Sequence, residues 1–349
     1  MTRVRSVLIV VQNLPVPFDR RVWLEATALS EEGYRVSVIC PKGKDGSFQA
    51  GHEVIDGVHI YRYGAPLEAE SVPGFVLEFA YCWIMTAMLS LRIWMTRGFD
   101  VIHACNPPET YFLLAWFYRL SGKKFVFDHH DLSPEMYLAK GGKREGLLFR
   151  CLLLLERLTF KTADVVITTN QSHKKIAQVR GGVEEDDIFV VRSGPDFGRL
   201  KRVDPDPSIK NGFRYLVCYL GEMCPQDGVD IVLKAAQVII TDLKRRDTKF
   251  VLVGGGSALA GLRRLNAEMK LEPFVEFTGR VSDAELCRYL STSDLCVDPD
   301  PYTEWSDQST MNKIMEYMMF GKPIVAFDLK ENRYSAGGSA AYAKPNDVG

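Results

Sequence analysis

The sequence contains no C-x-x-C pair: its eight cysteines (Cys40, Cys82, Cys105, Cys151, Cys218, Cys224, Cys287 and Cys296) are scattered, mostly inside apolar runs. That spacing argues against a zinc site and a disulfide framework, so the thiols read as small buried hydrophobes in a reducing compartment. Excess charge is also missing. With 43 Lys and Arg against 44 Asp and Glu, a net charge of −1, no nucleic-acid surface is expected to cover the protein, although a local basic patch stays compatible with that balance. Long uncharged apolar runs are absent too. In the most apolar segment, residues 74–97, the charge-free core is 79–91, about 20 Å of helix at 1.5 Å per residue against a hydrocarbon layer about 30 Å thick. A transmembrane helix is therefore not expected. The apolar run 7–11 is short and no small-residue cleavage site follows it, so no signal peptide is expected and the predicted location is cytoplasmic. Finally, the first loop lacks G-x-G-x-x-G, which argues against a dinucleotide oxidoreductase.

What the chain does have is length and repetition. Its 349 residues, 46% hydrophobic and 25% charged, suit a soluble protein with two substantial cores. A strand at 6–12 leads into Asn13-Leu14-Pro15-Val16-Pro17-Phe18, Asp19 caps a helix through about Glu31, and Gly33 ends it before a strand at 34–40. This βαβ opening predicts an α/β fold with a parallel, doubly wound sheet. Strands at 99–105, 123–128, 165–169 and 188–191 continue it, with a leucine-rich helix over 144–160 read as core packing, membrane contact being the lesser alternative. The turn Ser193-Gly194-Pro195 and the polar stretch 203–212 mark a hinge, dividing the chain into domains 1–195 and 196–349. The second half then restarts the pattern, with strands at 215–220, 250–253, 275–278, 295–298 and 324–327.

In open parallel sheets the strand carboxyl ends face the ligand crevice, so Asn106-Pro107-Pro108-Glu109 and His129-His130-Asp131-Leu132-Ser133-Pro134-Glu135 are candidate site loops. Neighbouring residues on a strand point to opposite faces and no third histidine lies nearby, so no metal site is predicted and His130 is taken as the site residue of the pair. A hydrogen-bonded structural histidine is the rival reading there, and His103, inside its strand, is taken as structural.

Near the end, Ser309 and Thr310 precede the apolar-periodic run Met311, Ile314, Met315, Met318 and Met319; Gly321 follows as a C-cap, and 324–327 reads as a buried strand. The free N–H groups and positive dipole end of such a helix could hold a phosphate, and Glu316 could accept hydrogen bonds from sugar hydroxyls. The run N-K-I-M-E-Y-M-x-x-G-K-P-I-V resembles the donor-sugar segment of glycosyltransferase family 4, retaining enzymes of the GT-B fold, in which two Rossmann-like domains with parallel sheets face a central cleft. The resemblance covers nearly the whole chain. It puts Glu316 on the second glutamate of a Glu-x7-Glu motif that binds ribose, while the first position is Gln308, which keeps hydrogen bonding but not charge. The run H-D-L-S-P-E resembles the segment whose histidine contacts the donor hexose, which implies that role for His130. F-T-G-R-V resembles the loop meeting the nucleotide base, which implies contacts at Arg280 and Val281. With Gly221 in the first loop of the second half, and Ser309, Thr310, Asn312 and Lys313 at the helix start, these residues make up the implied donor site. Where the family reads G-R-x-x-x-x-K-G, this chain has Glu222 and Asp227. If those carboxylates pointed at a diphosphate, each would cost on the order of 1 to 4 kcal/mol at about 4 Å, so compensation is assigned to the helix start with Lys313 or Arg280.

The implied activity is transfer of a hexosyl unit, with retention, from a nucleoside-diphosphate sugar to a glycan or lipid-linked acceptor in surface or extracellular polysaccharide synthesis, with no metal or other cofactor. Two other readings stay open: a GT-B sugar-nucleotide epimerase, and a catalytically degenerate sugar-nucleotide-binding subunit, motivated by Gln308, Glu222 and Asp227. The 74–97 helix, flanked by Arg92 and Arg97, is either buried against the sheet or partly sunk in a membrane surface, which would make the protein peripheral on the inner face of the cell membrane. Relatives continue into further helices where this chain reads Asp347-Val348-Gly349, so C-terminal helices are expected to be missing from the second domain.

Overall fold

A computed structural model describes residues 5–43, 46–64 and 72–347. The sequence expectations touching Val348, Gly349 and the side chains of Phe75 and Val76 lie outside the described residues. The chain divides into two compact units, Met1–Pro134 with Lys143–Arg192, and Glu135–Gly142 with Ser193–Gly349.

The first unit runs β1 (Ser6–Val10), α1 (Arg20–Glu31), β2 (Arg35–Pro41), β3 (His52–Ile55), β4 (Val58–Tyr63), α2 (Val72–Thr96), β5 (Val101–Cys105), α3 (Phe112–Arg119), β6 (Lys124–His129), the start of α4 (Ser133–Ala139), which from Glu135 on belongs to the second unit, then α5 (Leu147–Thr162), β7 (Val165–Thr168), α6 (Gln171–Ile176) and β8 (Ile188–Val190). The strands form one sheet in the order β3-β4-β2-β1-β5-β6-β7-β8, parallel except for the β3–β4 pair. Because side chains alternate across a strand, Val7 and Ile9 of β1 enter one core with Val22 and Ala26 of α1, while Leu8 and Val10 enter the other. That second core holds Cys82 and Ile93 of α2, Phe112 and Leu114 of α3, and Phe160 of α5. The β4-to-β5, β5-to-β6 and β6-to-β7 crossovers all step in one direction along the sheet, which lays α2, α3 and α5 side by side on a single face. Asp19 caps α1 by accepting from the Val22 amide at 3.1 Å. The β3–β4 hairpin was not anticipated, although Asp56-Gly57, with φ of 49° and 80°, has the composition and handedness of a two-residue hairpin turn.

The second unit runs β9 (Tyr215–Leu220), α7 (Val229–Gln237), β10 (Thr248–Val253), α8 (Leu259–Glu268), β11 (Val275–Gly279), α9 (Asp283–Thr292), β12 (Leu295–Asp298), α10 (Asn312–Met319), β13 (Ile324–Phe327), α11 (Lys330–Ala336) and β14 (Ala340–Ala343). Its six-stranded sheet is parallel throughout, in the order β11-β10-β9-β12-β13-β14. Five of these strands match the sequence expectation; β14 is the addition. Six cysteines are buried, Cys224 is half-buried, Cys151 is exposed, and all are free thiols. Among the described residues, no helix is long and apolar enough to cross a membrane.

Candidate active site

Residues expected to act together cluster at strand carboxyl ends within each unit. In the second unit, Tyr317 of α10 accepts from the Leu220 amide at 2.8 Å and donates to the Val297 carbonyl at 3.1 Å. One phenol thus ties α10 to the ends of β9 and β12. The same tie brings Lys313, one helical turn earlier, over the ring of Tyr219 at 5.2 Å. Gly221 sits against it: a Cβ there would lie 2.7 Å from the Tyr219 hydroxyl and 3.3 Å from Lys313 Cε. Gly254, at the end of β10, packs its backbone on Gly221 so closely that any side chain, at its φ of +133°, would overlap the Gly221 carbonyl.

The structure also shows where the cationic and anionic candidates point. Lys313 Nζ lies 2.5 Å from Asp300 and 3.2 Å from Asp298. Burial works against its charge, but Asp300, Tyr219 and Asp298 hold the ammonium protonated well above its ordinary range. Burial, then Asp298, pushes the Asp300 carboxyl well above the usual range for Asp. Lys313 is therefore already paired. Asp227 turns into its own loop, accepting from the Cys224 amide at 2.7 Å as the cap of a short turn. Glu222 and Arg280 are both exposed and stand 3.8 Å apart, a pairing worth no more than about 1 kcal/mol at the surface.

Before α10, Ser306–Gln308 forms a 3-10 turn and the Ser309 hydroxyl donates back to the Trp305 carbonyl at 2.7 Å. The helix consequently starts at Asn312, later than Ser309 and Thr310 suggested, and no side chain caps it through Met311. Thr310 lies just ahead of that start and Asn312 is exposed at it. Glu316 is buried on α10, its Oε1 3.6 Å from Arg199 Nη2, and Arg199 also pairs with Asp283. Val281 is half-buried beside Arg280, after β11.

In the first unit, His130 follows the end of β6 with its Nδ1 3.3 Å from Asp128 Oδ2. Asp128 is fully buried and takes a two-point hydrogen bond from Arg21, at 3.0 Å and 2.8 Å. Arg21 also meets Glu25 at 3.0 Å and the Val191 carbonyl at 2.9 Å. Burial alone would strip the His130 proton, but Asp128 raises its pKa to about 9. Burial would likewise keep Asp128 protonated, and Arg21 with His130 instead holds it well below the usual range. Burial, then Asp128, pushes Glu25 up to about 7.

The two loops expected to carry site residues are stitched together by one amide. Asn106 Oδ1 accepts from the amides of His130 and Asp131 at 2.9 Å and 3.0 Å, and its Nδ2 donates to Glu109 at 2.8 Å and to the Asp131 carbonyl. His129 points the other way, buried beside Glu156 at 3.3 Å and packed on Phe160 and His173. Asn106 lies in a loop that the sequence marked as a site candidate, whereas Asp128 and Arg21 were not recognised as parts of this site from the sequence. The signal for Asp128 was present, because residues two apart on a strand share a face and 128 and 130 straddle its end. Glu25, His103, Cys105 and Asp128 could each turn one potential metal ligand toward the others, all within 4.8 Å. The Arg21 guanidinium, 2.8 Å from Asp128 and 3.0 Å from Glu25, already supplies the positive charge there.

Comparison with known proteins adds the family. The profile of glycosyl transferases group 1 matches residues 214–348, and that of the glycosyl transferase 4-like domain matches residues 19–194. No curated protein matches the chain. Among solved structures, sucrose-phosphate synthase from Thermosynechococcus elongatus is similar at 17% identity and TM-score 0.77, covering 99% of this chain and 87% of its own. A glycosyltransferase from Rickettsia africae aligns at 15% identity and TM-score 0.66, covering 99% and 86%. Anabaena HepE in complex with UDP aligns at 17% identity and TM-score 0.66, covering 99% and 87%. The chain therefore belongs to the group 1, family 4-like glycosyltransferases and has their GT-B fold of two parallel-sheet domains.

Proposed function

We propose that this glycosyltransferase moves a hexosyl unit, with retention, from a nucleoside-diphosphate sugar to a glycan or lipid-linked acceptor in surface or extracellular polysaccharide synthesis. The observation that carries the donor half is the junction of α10 with the first loop of its sheet, where Gly221, with no room for a side chain, lies beside a helix start that no side chain caps. Free first-turn amides and a positive dipole end suit a leaving diphosphate. The same class of ligand is bound by HepE, solved with UDP, with UDP and glucose, and with UDP-glucose. Glu316 would hold the ribose, Arg280 and Val281 would meet the base, and Ser309, Thr310 and Asn312 would line the phosphate approach.

His130 would orient the hexose. With Nδ1 facing Asp128, Nε2 is the ring nitrogen left to donate to a sugar hydroxyl, and the raised pKa keeps that donor charged at neutral pH. In this reading no protein nucleophile acts. The leaving phosphate and incoming hydroxyl share one face of the sugar, and catalysis comes from placing them and stabilising phosphate charge, without a metal.

A second reading, a binding subunit without turnover, draws on the pairing of Lys313 with Asp298 and Asp300, which takes one cation away from a diphosphate. Calorimetry against a panel of nucleotide sugars, with nucleotide release followed in parallel with and without glycan acceptors, separates the cases. Acceptor-dependent release supports the transferase. Binding without release supports the subunit, and a new sugar nucleotide formed without acceptor supports an epimerase.

A further inference from the structure

Three adjoining helices of the first unit expose what surface helices ordinarily bury. On α2, Leu77, Tyr81, Ile84, Met88, Leu91 and Met95 recur every three or four residues and are 40–71% exposed. The inner edge buries Cys82, Thr86, Ser90 and Ile93, flanked by Trp83, Met85, Leu89 and Trp94 packed on the core, so this helix is apolar on its outer side as well as its inner one. A helix facing water carries polar residues outside. The neighbouring α3 exposes Leu113, Trp116 and Phe117, with Leu120 just beyond its end 89% exposed. On α5, Leu147, Leu148 and Leu154 are exposed.

These stripes belong to one face. Trp94 of α2 meets Phe117 of α3 edge to face at 6.4 Å, and Trp116 of α3 donates to Thr162 of α5 at 3.1 Å. The charged side chains exposed on the three helices are Arg92, Arg119, Arg150, Arg157 and Lys161, all cations, while Glu78 of α2 is half-buried. The carboxylate of α5, Glu156, is instead buried against Arg180 and His129. In a chain of net charge −1, positive charge is thus gathered where the apolar surface is.

We propose that the α2–α3–α5 face docks the first unit onto an anionic lipid bilayer. The aliphatic stripe would settle at the boundary between headgroups and acyl chains, and the arginines and lysine would meet anionic headgroups. From Leu77 to Met95 the α2 stripe is about 27 Å long at 1.5 Å per residue, so the helix would lie along the surface. A protein partner is the less suitable occupant, because protein interfaces mix polar hydrogen-bonding groups into their rim, whereas here the exposed groups are chiefly hydrocarbon and cations, and the Tyr81 hydroxyl and Trp116 N–H already donate to the Gly64 carbonyl and Thr162.

The test is co-sedimentation of the full chain with vesicles of phosphatidylcholine alone and of phosphatidylcholine mixed with phosphatidylglycerol. Partitioning should favour the anionic vesicles and weaken in high salt. Ile84→Glu combined with Met88→Glu should lower it at least about tenfold, and Arg150→Glu with Arg157→Glu should remove the preference for phosphatidylglycerol. Val54→Glu, at an exposed apolar position on β3 outside this face, should bind as the unmodified protein does. Circular dichroism melts of each variant confirm that the changed positions leave the fold in place. Absence of binding to anionic vesicles, binding that the Ile84/Met88 pair leaves intact, or a dimer that this pair dissociates would overturn the proposal. Affinity for soluble nucleotide sugars, measured on the same variants, should not change, so failure here is separable from failure of the donor reading.

Discussion

A histidine as enclosed as His130 would ordinarily give up its proton, because burial penalises the charged ring. Asp128 reverses that outcome from 3.3 Å, and Asp128 itself stays ionised chiefly because Arg21 grips both its oxygens, with His130 adding to the effect. The folded-state pKa of about 9 exceeds the ordinary 6.5. The stabilisation from this pair is therefore complete below about pH 6.5 and is lost as pH rises through about 9. We predict an imidazole NMR titration for His130 with its midpoint near 9 that falls toward the ordinary value in Asp128→Asn; an unshifted midpoint in that variant would remove Asp128 as the cause. His130→Ala should cut turnover about 100-fold, the scale of a lost charge-assisted hydrogen bond of about 2 to 3 kcal/mol, while nucleotide affinity changes little and the melting temperature falls at neutral pH by the contribution of the pair with Asp128. That loss of stability with turnover unchanged would support the structural reading of this histidine. That His130 and His129 face opposite ways was legible in the sequence, because side chains alternate along a strand. The partners of His130 were harder to find, since Arg21 and Asp128 lie 107 positions apart and only the sheet order brings them together.

At the scale of elements, local chemistry was read well and register less so. The Asp19 cap was visible because it depends on residues within one turn, and Asp19→Ala should lower stability by about 1 kcal/mol, measurable by urea denaturation. The start of α10 was misplaced because Ser309, which looks like a cap, instead closes the turn before it through Trp305. Nothing in a one-dimensional pattern distinguishes those two uses of one hydroxyl. The glycines at the ends of β9 and β10 make a sharper test. Gly254→Ala would drive a methyl into the Gly221 carbonyl and should cost about 2 to 4 kcal/mol while weakening donor binding. Gly261→Ala, inside α8 with no heavy atom near the added carbon, should gain about 0.5 to 1 kcal/mol. Equal effects at the two positions would contradict the close packing of these loops.

Across the whole molecule, the repeated α/β pattern announced two parallel sheets because buried strands and amphipathic helices alternate with regular periods in both halves. What escaped notice lay at the sheet margins: β3 and β14 are four-residue, partly exposed edge strands, and β4, although mostly buried, has its apolar run broken by His59 and Arg62. The resemblance to family 4 placed the donor residues in the second unit, and there the departures from the family have physical outcomes. Asp227 turns inward as a cap, Glu222 meets Arg280, and Lys313 is held by Asp298 and Asp300. In the proposed donor site the diphosphate would then rest chiefly on backbone amides at the start of α10, with Glu316 anchoring the ribose. Isothermal titration of UDP-sugars and other nucleoside-diphosphate sugars into the full chain and into Glu316→Gln tests this most directly. The account predicts saturable binding of at least one donor and an affinity at least about tenfold weaker in the variant, a loss of about 1.4 kcal/mol, with the melting temperature nearly unchanged; equal affinities in the two proteins would contradict it.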